Sequence, residues 1–170
     1  MIELKVLNPH WLEGNENTEY DLCVHSPVWL KIGDRVVSNE ESGDWTVSAS
    51  AYLFLRSLDE NHFSSEYEQL LPCCGFNFWN VEDKIFFSNC GTGMNWDILH
   101  KKDKIVHRFS NSEEIEIDCD EWKNAVVEFS DDVLSFYKKS KPRKFSDEES
   151  KKEFEYFMSE FKRLRKEATE

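Results

Sequence analysis

The residues best equipped for chemistry in this chain are its thiols and imidazoles. Cys73-Cys74, Cys90, the pair Cys23-x-His25, His100 and His107 offer enough donors for a tetrahedral zinc. Their spacing argues against it, because no Cys-x-x-Cys knuckle occurs and adjacent cysteines rarely converge on one ion. A nucleophilic cysteine is the second possibility: Cys73, Cys74 or Cys90 would need His62, His100 or His107 as a base within hydrogen-bond reach. The chain has no Gly-x-Ser-x-Gly, His-Glu-x-x-His or Gly-x-x-x-x-Gly-Lys-Ser/Thr motif, so hydrolase, metalloprotease and nucleotide-binding readings have no motif behind them. Cysteine packs readily as a small hydrophobe, and core cysteines with no metal and no cofactor are the expectation.

A second constellation is Asn89-Cys90-Gly91-Thr92-Gly93-Met94-Asn95-Trp96-Asp97, which crowds two glycines, two amides and an indole into one turn. Asn95, Trp96 and Asp97 are its candidate ligand contacts. The plainer expectation is a tight turn whose glycines adopt positive φ. A third is acidic: Glu113, Glu114, Glu116, Asp118, Asp120 and Glu121, continuing into Glu128, Asp131 and Asp132. Such a run is either a solvated face or a surface that docks a basic protein with fast, salt-sensitive association.

Several elements must position these residues. Ile2, Leu4 and Val6 alternate with Glu3 and Lys5, the period of a half-buried strand. Residues 8–26 read as loop, and Val28–Ile32 and Arg35–Ser38 as a hairpin turning at Gly33-Asp34. Val47, Ala51, Phe54, Leu55 and Leu58 share one helical face, which predicts a central helix over 46–61. Residues 69–106 are rich in β-formers and turns, with a hairpin across Lys101–Lys104, and Glu114–Asp118 is a further strand.

Trp122, Val126, Phe129, Val133 and Phe136 step by four and three residues, predicting a helix over 119–140 that Asp118 or Asp120 can cap and Ser130-Asp131-Asp132 could interrupt. Pro142 ends it. A capping box at Ser146-Asp147-Glu148-Glu149 opens a last helix, 147–168, with Phe154, Phe157, Met158, Phe161 and Leu164 inward. The fold class is therefore α+β: a mostly antiparallel sheet of about five to seven strands, one central helix and two C-terminal helices.

The 170 residues suit one domain. Within it, residues 138–170 hold 11 Lys+Arg and 8 Asp+Glu, a net of +3, which leaves −16 on residues 1–137 of a chain totalling −13. An acidic body at 1–137 is thus followed by a short linker and a basic helix at 138–170. Its charge excludes nonspecific binding to phosphate backbones and anionic membranes, whose Coulomb term would have the wrong sign. No segment approaches the apolar length of a membrane span, and a cytoplasmic location is the expectation. Five irregularly spaced cysteines imply reduced thiols there. Trp11, Trp29, Trp79 and Trp96 fall in loops or short strands, where aromatic side chains can serve as binding anchors.

Trp45-Thr46-Val47-Ser48-Ala49, Leu71-Pro72-Cys73-Cys74-Gly75, Asn89-Cys90-Gly91 with Trp96-Asp97, and Phe129 with Phe136-Tyr137 together resemble an uncharacterised family of small bacterial proteins. The resemblance implies a bacterial or phage origin, where small acidic proteins without enzyme motifs are often immunity or inhibitor proteins. The leading expectation is therefore a non-catalytic module that covers a basic site on a toxin, nuclease or defence protein. Its rivals are a cysteine-based enzyme or metal-binding protein using Cys73, Cys74, Cys90 and a histidine, and a structural subunit of a larger complex.

Overall fold

The alternating segment Ile2–Val6 forms strand β1 and pairs antiparallel with β3 (Val28–Ile32), from Ile2 opposite Ile32 to Val6 opposite Val28. β3 turns through Gly33 into β4 (Arg35–Ser38). Gly33 takes φ 60°, a left-handed backbone that costs glycine little because it has no Cβ. The structure, a computed structural model, describes residues 1–12, 18–65, 67–73 and 78–170. Two short strands, β2 (His25–Ser26) and β5 (Trp45–Thr46), form a second pair, and β6 (Phe78–Val81) with β7 (Lys84–Phe87) a third. β8 (Asp97–Lys101), β9 (Lys104–Arg108) and β10 (Glu114–Asp118) make a sheet in the order β10-β9-β8.

Among the described residues every strand pair is antiparallel, as the short connections of β3–β4, β6–β7, β8–β9 and β9–β10 require. The strands of these residues are shared among four small sheets, with the helices packed against them. α1 (Val47–Arg56) lies against β2 and β5, α2 (Cys119–Lys139) touches β1 of one sheet and β9 and β10 of another, and α3 (Glu148–Glu167) covers β6.

α1 is central: every residue from Val47 to Leu55 is buried. It is shorter than the 46–61 its periodicity suggests. Leu58 and Asp59 donate to the carbonyls three residues back, Leu55 and Arg56, and tighten the chain out of the helix. α2 is continuous through Ser130-Asp131-Asp132: Ser130 is fully buried, and Arg165 of α3 grips the Asp131 carboxylate at 2.7 Å. Asp118 occupies the start of α2 without capping it by its side chain, since its carboxylate turns to Lys104. At α3 the cap is Asp147 instead of Ser146, its carboxylate accepting from the Ser150 N–H at 2.7 Å.

The core is aromatic. Phe54 of α1 meets Trp122 edge-on (centroids 5.5 Å apart), Phe129 (5.8 Å) and Trp96 (6.2 Å). Phe157 of α3 gathers Phe78, Phe87 and Tyr52 at 5.1 to 5.9 Å. Phe157 and Phe161 are buried on the face of α3 that the sequence pattern marks, while Phe154, Met158 and Leu164 are only partly covered.

Candidate functional site

The turn between β7 and β8 is built by two clasps. Leu71 and Met94 exchange backbone hydrogen bonds of 3.0 and 2.9 Å. The Gln69 side chain donates to the Cys90 carbonyl (2.7 Å) and accepts from the Cys90 N–H (3.0 Å). Together they set Cys73 opposite Cys90, and the two are joined as a disulfide with Cα atoms 6.5 Å apart. This corrects the expectation of reduced thiols, because the Leu71–Met94 bridge creates a pairing that odd cysteine count and irregular spacing conceal. Bonded sulfurs supply neither nucleophile nor thiolate ligand. Cys74 lies outside the described residues.

The histidines have other partners. His62 Nε2 is 2.8 Å from Asn95 Oδ1, His100 Nε2 is 3.0 Å from the Ser57 carbonyl, and His107 Nδ1 accepts from Trp96 Nε1 at 3.1 Å. Among the described residues no group of three or more His, Cys, Asp or Glu side chains is placed to hold a metal. The disulfide closes a loop with a sequence separation of 17. Replacing Cys73 and Cys90 together by Ser should therefore cost about 3 kcal/mol on the loop-entropy scale. Urea unfolding checks this: a reductant should lower the wild-type midpoint and leave that of the double variant unchanged.

The candidate ligand residues in the turn are committed to the fold. Asn95 donates to the carbonyls of Glu68 (3.1 Å) and Ser64 (3.3 Å) besides meeting His62. Trp96 is buried on His107, and Asp97 accepts from the Ser64 N–H (2.7 Å) and from Arg108 Nε and Nη2 (2.8 and 2.6 Å). Burial raises the Asp97 pKa, but Ser64 and Arg108 outweigh it and hold the carboxyl below its usual value. Neither Gly91 nor Gly93 has positive φ, contrary to expectation. Gly93 matters for a different reason: a Cβ there would stand 2.1 Å from Gln69 Oε1 and would displace that side chain from its clasp on Cys90.

The acidic run divides in two. On and beside β10 the carboxylates pair with the protein's own cations: Glu113 with Arg35, Glu114 with Arg108 (4.0 Å), Glu116 with Lys101 (3.0 Å) and Asp118 with Lys104. Glu121 accepts from the Ile2 N–H at 2.8 Å and lies 3.2 Å from the Met1 amine. Asp120, Glu128 and Asp132, on the exposed side of α2, have no ion pair among the described residues. Burial, then Glu128 and Asp131, pushes the Asp132 carboxyl upward, with Lys139 opposing. These acids feel one another along the helix.

Two surface hollows were not legible in the sequence. One, of about 620 Å³, lies beside half-buried Trp29, with Glu3, Glu40 and Glu41 around it and Glu3 accepting from Trp29 Nε1 at 2.9 Å. The other, of about 860 Å³, opens between the end of α2, residues 140–143 and α3, floored by Leu134, Phe154 and Met158. No known protein family, curated protein or solved structure matches the chain. Among the described residues no helix is long and apolar enough to cross a membrane.

Proposed function

We propose that this protein is a non-catalytic protein-binding module, of the immunity or inhibitor type suggested by its resemblance to small bacterial proteins, which covers a basic site on a protein partner. The observation that carries the reading is the exposed side of α2, where Asp120, Glu128 and Asp132 form no ion pair among the described residues in a chain of net charge −13. Of the nine acids in the run, these three keep the most exposed field, with Lys139 opposing it only at Asp132, and such a field speeds encounter with a basic surface. The hollow at Trp29, where Glu3, Glu40 and Glu41 outnumber Lys5, adds an aromatic anchor of the kind enriched at binding hot spots. The cysteine-based alternative loses Cys73 and Cys90, which are bonded to each other.

The test is affinity capture with the wild type and with the variant Asp120→Asn, Glu128→Gln, Asp132→Asn. At about 0.1 M salt the wild type should retain a basic protein that is released at about 1 M, where the Debye length falls from about 10 to about 3 Å. The variant should retain it at least about tenfold less tightly. Equal, salt-indifferent retention by both proteins sinks the proposal.

A further inference from the structure

The cleft between α2 and α3 has the opposite character from the rest of the molecule. Its apolar floor of Leu134, Phe154 and Met158 is rimmed by Lys138 from α2, Lys141 from the connection and Lys162 from α3. All three lysines are exposed, and among the described residues none has a carboxylate within ion-pair distance, Lys141 acting on Glu19 only from further off. Nearby cations of α3 are spent internally, Arg163 on Glu160 and Glu167, Arg165 on Asp131, and Lys166 on Glu170. A chain of net charge −13 thus sets Lys138, Lys141 and Lys162 around one apolar depression whose lining carries a single acid, Glu155, so the rim keeps an excess of positive charge.

We infer that this cleft is a docking groove for a short acidic, amphipathic segment of a partner protein, independent of the acidic face. The walls are already fixed. Tyr137 is locked by its hydroxyl to Ser48 Oγ (2.7 Å) and the Leu22 carbonyl (2.8 Å). Phe154 sits among Phe145, Tyr137 and Phe78 at 5.6 to 6.4 Å. Arg143 holds the connection in place, its guanidinium 3.8 Å from the Trp11 ring centroid and donating to the Thr18 carbonyl at 3.1 Å. A preformed groove lowers the ordering cost of binding.

Size and chemistry select the occupant. From Phe154 to Lys162 the α3 wall runs about 12 Å at 1.5 Å per residue, the length of two helical turns. That length receives apolar anchors at i, i+3 or i+4, and i+7, the helix-in-groove mode. Met158 in the floor is a flexible, polarizable side chain that adapts to such anchors. Cations drawn from three separate elements match carboxylates spread along a peptide better than one lipid headgroup.

The experiment pans a displayed library of random 12-residue peptides on the intact protein, then measures the consensus peptide by fluorescence anisotropy. The expected enrichment is for net-negative sequences with apolar residues at the stated spacing. Binding should weaken at least about tenfold in Lys138→Glu, Lys141→Glu, Lys162→Glu and stay unchanged in the Asp120, Glu128, Asp132 variant. All six positions are exposed, and circular dichroism confirms that each variant is folded. No enrichment, enrichment of neutral or basic sequences, or full binding by the lysine variant overturns the inference. So does tight binding of dodecanoate with no acidic peptide selected, or a concentration-dependent dimer that the lysine variant abolishes, which would assign the groove to a lipid or to a second copy.

Discussion

A Trp122→Ala variant is expected to lose about 3–5 kcal/mol of folding stability, the range for removing a large aromatic from a packed core. Trp122 is fully buried on α2 where that helix meets α1 and β9. Its ring stands edge-on to Phe54 of α1 and, at 4.7 Å, to His107 of β9, while its Nε1 donates to Ser57 Oγ at 3.1 Å. Ser57 in turn donates to the Phe54 carbonyl at 2.6 Å, where α1 ends. Truncation leaves a cavity that the surrounding rings cannot fill, and removes the donor to a buried hydroxyl. Urea unfolding followed by tryptophan fluorescence and by circular dichroism measures the loss. A cost under about 1 kcal/mol would show that α1, α2 and β9 do not meet through this side chain.

The second large effect is a dependence on pH. His107 is fully buried, and burial lowers its pKa from 6.5 to about 3. Its Nδ1 accepts from Trp96, so the neutral ring carries its proton on Nε2, which is buried and has no hydrogen-bond partner among the described residues. The folded imidazole stays neutral where the unfolded one protonates, so the unfolded state binds more protons between pH 6.5 and about 3. Stability from this residue is complete above pH 6.5 and is lost as pH falls through that window, by about 1.4 kcal/mol per unit.

Wild-type protein should therefore lose about 2–3 kcal/mol from this source between about pH 6.5 and 4.5. His107→Gln keeps an acceptor for Trp96 and removes the titration, so its stability should decline less steeply over that interval by the same amount. Urea midpoints at unit pH steps check it. Parallel curves for the two proteins would show that His107 is not shielded.

The helices and most strands were legible because their apolar periods coincide with burial. Trp122, Val126, Phe129 and Val133 all reach the core, and both expected hairpins form around Gly33 and Lys102. Caps were less legible, because a side chain near a helix start can be claimed by tertiary partners, as Asp118 is by Lys104. The disulfide was hidden for a related reason: it depends on a two-residue bridge between Leu71 and Met94, far apart in sequence and without periodicity. The acidic run could be found by composition, but not divided. Whether Glu116 faces solvent alone or meets Lys101 depends on strand register, which places β8, β9 and β10 side by side. Similarly, the cations of α3 could be ascribed to its dipole, and only the folded structure separates paired Arg165 from unpaired Lys162.

Among the described residues β10 is bonded to β9 on one side and to no strand on the other. An open edge of this kind invites another chain to continue the ladder, the first step of aggregation. Glu114, Glu116 and Asp118 alternate along that edge and hold Arg108, Lys101 and Lys104 over the sheet. An incoming strand would have to strip these hydrated charges before it could form a single hydrogen bond. The same carboxylates that drew notice as a docking surface thus act as a guard rail, keeping copies of the protein from zipping together.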